Sequence, residues 1–103
     1  MTTKRYTARL IRYESTLMVN ICDEELLGKT VKGKGLEIHI SNSYFGDNQV
    51  NLVEALNLIR KSHSANLAGT RIVEQTLKAN LASHLAVKKV GSTPFLMIFK
   101  FNR

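Results

Sequence analysis

Apolar and polar positions alternate as soon as the chain becomes regular. Tyr6, Ala8 and Leu10 fall on one side of the segment Tyr6 to Tyr13, and Thr7, Arg9 and Ile11 on the other. This period of two predicts a strand with Arg9 on its mixed face and Arg12 on the opposite face. Glu14-Ser15 interrupts the pattern, and Leu17, Val19 and Ile21 resume it between Thr16 and Cys22, so the two segments predict a hairpin. Asp23-Glu24-Glu25-Leu26-Leu27-Gly28 then predicts one helical turn, capped by Asp23, pinned by Leu26 and Leu27, and closed by glycine. From Gly28 to Gly35 glycines alternate with lysines, which predicts an exposed, mobile loop. A third strand is expected from Gly35 to Ser41, with Leu36, Ile38 and Ile40 inward and Glu37, His39 and Ser41 outward. In the turn from Asn42 to Asn48, Tyr44 and Phe45 either plug one end of the core or offer a stacking platform.

The period changes at Asn51. Leu52, Ala55, Leu56 and Ile59 share one helical face, Asn51 and Glu54 form a capping box, and Arg60-Lys61 suit the negative end of the macrodipole. Ser62 to Gly69 is a short link with room for one more turn. A second helix is expected from about Thr70 to Ala79, burying Ile72, Val73, Thr76 and Leu77, with Asn80 in the left-handed cap. Phe95 to Phe101 is apolar at both alternate positions, which predicts an interior strand or a strand with one face awaiting a partner. The expected architecture is α+β in two layers, a small, mostly antiparallel sheet of about four strands with two helices on one face, in a single domain over residues 1–103.

Composition narrows the functional classes. The 103 residues suit one core, and 44% hydrophobic content is that of a globular chain. The longest apolar run, Pro94 to Phe99, is far short of the roughly 20 residues a membrane span needs. Met1 to Arg9 lacks the apolar centre of a secretory signal, which predicts a cytoplasmic protein. Cys22 is alone and cannot form an internal disulfide or a structural zinc site. Fifteen Lys/Arg against eight Asp/Glu give a formal charge of +7, and that excess points to a polyanionic partner. Any one basic group is explained by ordinary solvated surface; only their sum argues for nucleic acid.

Cys22-Asp23-Glu24-Glu25-Leu26-Leu27-Gly28-Lys29, the Tyr44-Phe45-Gly46 turn, Ala65-Asn66-Leu67-Ala68-Gly69 and a late Gly-x-x-Pro ending at Pro94 resemble an archaeal family, the domain of unknown function numbered 424. The resemblance spans roughly Arg9 to Pro94. It implies a small archaeal cytoplasmic α/β protein without an assigned activity, loosely associated with genes for translation and ribosome maturation. It supplies no catalytic residues to carry over. Where the family commonly has histidine after the proline, this chain has Phe95.

Enzymatic patterns fail on chemistry. Gly28-Lys29-Thr30 ends like a phosphate-binding loop, but the required upstream glycine is Asp23, and Glu24-Glu25 would repel phosphate. Cys22 has acids as neighbours, which raise a thiol pKa. His39, His63 and His84 lack metal-ligand spacing, and Glu24 and Glu25, being adjacent, diverge. The expectation is therefore no enzyme, no catalytic residue, no cofactor, no metal and no small-molecule substrate. Arg9, Arg12, Lys29, Lys32, Lys34, Lys88 and Lys89 are expected to converge on the backbone of ribosomal RNA, beside neighbouring ribosomal proteins and away from any membrane. The alternative is a protein-interaction module of the translation or ribosome-maturation machinery, docking through its apolar C-terminal strand.

Overall fold

The computed structural model describes residues 5–46 and 48–100. In chain order the elements are β1 (Tyr6–Tyr13), β2 (Thr16–Asp23), β3 (Thr30–Gly33), β4 (Leu36–His39), α1 (Asn42–Phe45), β5 (Asn48–Val50), α2 (Leu52–Lys61), β6 (Ser64–Ala68), α3 (Thr70–Lys78), β7 (Lys88–Val90) and β8 (Thr93–Phe99). Short 3-10 turns occupy Glu24–Leu26 and His84–Ala86. The main sheet has six strands in the order β5-β1-β2-β6-β8-β7, and β3-β4 forms a separate two-stranded sheet. The mixed α+β class agrees with the sequence, whereas the sheet is larger than the expected four strands.

Three of the differences have distinct causes. Ser62 to Gly69, expected as a link, contains the central strand β6, which runs parallel to β2 and antiparallel to β8. Ser-Ala-Asn-Leu-Ala has almost none of the β-branched content that marks a strand locally; two strand neighbours impose the conformation. Gly28 to Gly35, expected as a mobile loop, is largely β3 and the turn to β4. Lys34 and Gly35 both have positive φ (48° and 81°), the two-residue turn that matches hairpin twist. Gly33 and Gly91 hold the hairpin against β7, because a Cβ on either glycine would strike the backbone opposite it. In this register Ile40 is buried, but Leu36, expected inward, is exposed. β5 and β7 are three residues each, too short to show a period.

The helices follow their signals more closely. α2 carries the Asn51–Glu54 capping box, with both reciprocal hydrogen bonds present at 2.9 and 2.8 Å. Lys100 completes its C-terminal end, its Nζ donating to the carbonyls of Ile59 and Arg60 at 2.6 Å each. Asn80 follows α3 with φ 63°, as expected. α2 and α3 pack on one face of the sheet, where Val19, Ile21, Ala65, Leu67, Leu96 and Ile98 meet Ala55, Ile59, Ile72 and Val73 in the larger core. A smaller core on the opposite face joins Cys22, Ala68 and Phe95 of the sheet to Ile38, Ile40 and Phe45 above it. β8 is an interior strand where it runs between β6 and β7. Phe101, included in the expected tail strand, lies outside the described residues.

Candidate functional site

The acidic motif turns out to be a joint. Asp23 was expected to cap its own turn, yet its side chain makes no such bond. Instead Oδ2 accepts from Arg71 N and Oδ1 from Ile72 N, both at 2.9 Å, so the carboxylate caps α3 from across the sheet. Gly69 makes this possible: its φ of 121° suits glycine, and a Cβ there would lie 2.5 Å from Asp23 Cγ. Burial pushes the Asp23 carboxyl above its usual range, against the pull of the two amides and Arg71. Arg71 in turn grips Glu25 with two nitrogens, at 2.5 and 3.1 Å, donates to the Arg5 carbonyl, and lies 4.7 Å from the centre of the Tyr6 ring. Glu24 accepts from Gln49. The distant segments Asp23–Glu25 and Gly69–Arg71 are thus one structural cluster with its charges engaged.

Cys22 is fully buried beside Thr7 Oγ1 at 3.1 Å, and burial pushes its thiol up to about 11. A thiolate nucleophile is disfavoured there. His63 is structural as well, its Nδ1 accepting from Leu17 N at 2.9 Å. Among the described residues, no cluster of His, Cys, Asp or Glu could hold a metal ion, and no helix is long and apolar enough to cross a membrane.

The expected basic set does not converge on one face. Arg9 belongs to the strand positions opposite the helices, and Arg12 to those on the helix side. Lys88 pairs with Phe95 and Lys89 with Pro94, so these neighbours likewise face opposite ways. Three strands separate β1 from β7, roughly 19 Å at the usual spacing. What does assemble is the hairpin sector. Lys29 lies exposed at its base, Lys32 in β3 and Lys34 at its tip, and the hairpin packs against β7 with Lys88 nearby. Lys32 also meets Glu37 at 3.3 Å, an exposed pair of little energetic weight.

Next to that sector the face opposite the helices is only partly covered. Strand register aligns Arg9, Asn20, Asn66 and Met97 in one cross-strand row, and Ile11, Met18, Ser64 and Phe99 in the next. Met97 and Phe99 are 57% and 63% exposed. Where the hairpin and α1 overhang the sheet, a groove of about 450 Å³ opens between Tyr44, Phe45, Asn66, Lys88, Phe95 and Met97. The aromatic pair divides its roles: Phe45 is buried in the smaller core and Tyr44 stands half exposed, edge-to-face with it at 5.0 Å. Asn20 and Asn66 were missed from sequence. Their signal was a polar amide inside each of two otherwise apolar runs, Leu17 to Cys22 and Ala65 to Ala68.

A family model described as a protein of unknown function (DUF424) matches residues 11–101. Among solved structures, the chain is similar to the crystal structure of an uncharacterized conserved protein from Methanopyrus kandleri, with a TM-score of 0.82 and 23% identity, over 96% of this chain and 94% of that one. That similarity concerns the fold. No curated protein matches the sequence.

Proposed function

Because the chain belongs to the DUF424 family, whose description assigns no activity, we propose its function from its own surface: it is a non-catalytic, basic RNA-binding protein that contacts the backbone of ribosomal RNA at the archaeal ribosome. The observation that carries this reading is the packing of the lysine-bearing hairpin against β7, beside Lys88, on a chain of net charge +7. Lys29, Lys32, Lys34 and Lys88, with Arg9 at the far side of the same face, form the contact set. Arg12 and Lys89 lie on the helix side and drop out. Such contacts neutralise phosphates and release counterions, so binding is salt-sensitive and largely blind to sequence. Cytoplasmic location and neighbouring ribosomal proteins as partners belong to the same proposal.

The test is co-sedimentation with ribosomal particles and with isolated rRNA over a salt series. Changing Lys29, Lys32 and Lys34 together to glutamate should weaken binding strongly and reduce the salt slope by about three, roughly one per lysine. Binding that responds neither to salt nor to these changes would sink the reading.

Exposed Met97 and Phe99 support a second reading, a protein-docking module. β7 pairs with β8 only as far as Phe95, so among the described residues no strand flanks Leu96 to Phe99 on that side. A peptide adding there would bind independently of salt and be lost on Phe99→Lys. Deleting residues 95–103 cannot separate the two readings, because it removes the whole stretch of β8 that pairs with β6.

A further inference from the structure

The groove beside the hairpin has features that a phosphate contact does not need. Its volume of about 450 Å³ falls within the roughly 300–1,000 Å³ typical of small-ligand sites. The rings of Tyr44, Phe45 and Phe95 line it together with Met97 and Ile38. A flat apolar guest therefore meets aromatic and thioether surface, the kind of platform on which proteins stack unpaired bases.

A polar group among these apolar side chains narrows the guest. Asn20 is fully buried, and its Nδ2 donates to the Tyr44 carbonyl at 3.1 Å, which fixes its Oδ1 as an acceptor. Asn66 must then turn its Nδ2 toward Asn20 Oδ1, and does so at 2.9 Å. Among the described residues, one Nδ2–H and the Oδ1 of Asn66 remain without a partner, a donor and an acceptor on the same amide. That pair complements the N6–H and N7 edge of adenine, with which asparagine bonds bidentately. Lys88 adds a cation, and among the described residues none that lines the groove is acidic.

We propose that this groove is a pocket for one unpaired adenine of an RNA strand, with the base among Tyr44, Phe95 and Met97, its edge on the Asn66 amide and its phosphate on Lys88. The proposal rests on the RNA-binding reading and adds to it a preference for an extruded base over a continuous duplex.

The experiment titrates the whole chain at one salt concentration with three RNA duplexes, alike except that one is fully paired, one carries a single bulged adenosine and one a bulged uridine. Fluorescence anisotropy should show the bulged-adenosine duplex bound about tenfold tighter than the paired one, with uridine between them. Tyr44→Ala should reduce the preference for the bulged adenosine to below about twofold, as expected for loss of a stacking ring. Asn66→Ser should erase the difference between adenosine and uridine, with amide NMR spectra confirming that both variants fold. Val53→Ser, on the exposed side of α2, should keep the full preference. Equal affinity of the unmodified chain for bulged and paired duplexes, with salt dependence intact, overturns the pocket and leaves the RNA reading standing. Failure to bind any of the three overturns both, and a preference that survives Tyr44→Ala overturns the pocket alone.

Discussion

Side chains of β2 and β6 that point toward α2 and α3 are buried without exception, whereas their neighbours one residue along point to a face covered only in part by the β3–β4 hairpin and α1. On the helix side Val19, Ile21, Ala65 and Leu67 are each at most 1% exposed. On the other side the covering thins from the buried Cys22 and Ala68, through the Asn20–Asn66 amides, to exposed Met97 and Phe99. The helices fill one face with side chains that interlock. A hairpin and a single helical turn have too little apolar surface to do the same, so an open margin of rings, amides and basic groups remains. The first face accounts for stability, and the second carries the proposed RNA contacts.

The largest contrast is expected on cutting the same strand pair on its two sides. Leu67→Ala empties a site packed between sheet and helices and should cost about 2–5 kcal/mol. Met97→Ser, across from Asn66 on the open side, should change stability by no more than about 0.5 kcal/mol. Urea denaturation of both variants measures the contrast. Similar losses would mean that the open face is packed as a core, which would remove the groove from consideration as a binding surface.

A smaller effect is expected where the two faces are joined. Asp23 and Cys22 are consecutive, yet Asp23 points to the start of α3 and Cys22 into the smaller core. Gly69→Ala forces a side chain into a backbone region that only glycine occupies easily, at a cost of about 1–3 kcal/mol. Displacing the Asp23 cap adds about 1 kcal/mol. The loss should be visible as a lowered thermal midpoint with little change in salt-dependent RNA binding. An unchanged midpoint would mean that the carboxylate cap contributes nothing to holding α3.

Much of the helix side was legible in the sequence because its signals are local. The Tyr6–Tyr13 and Thr16–Cys22 alternation, the Asn51–Glu54 box and Asn80 after α3 each require only neighbouring residues. The other face was harder to read because its geometry depends on residues far apart. Nothing near Ser64 to Ala68 announces a central strand, since its conformation is imposed by β2 and β8. Asp23 looked like the cap of its own turn because its true partners, the amides of Arg71 and Ile72, are 48 and 49 residues away. The lysines were visible, but the alternation that places Lys88 and Lys89 on opposite faces appears only once β7 is paired with β8.

Cys22 offers the finest test of how firmly the covered half of the second face is closed. Its folded thiol, pushed up to about 11 mainly by burial and further by Asp23 and Glu25, lies above the unfolded value, which is about 8.5. A group raised in this way favours the folded state fully below its unfolded pKa, and that contribution is lost as pH rises through the folded value. Urea midpoints of the unmodified chain and of Cys22→Ala should therefore converge between about pH 8.5 and about 11. Tyr6, also raised by burial, is present in both proteins and cancels in the comparison. The same closure predicts that iodoacetamide at pH 8 leaves the folded thiol unlabelled and modifies it only as the chain unfolds. If folded and unfolded protein are labelled at the same rate, the hairpin and α1 open without global unfolding, and the closed half of this face would have to be counted with the open margin.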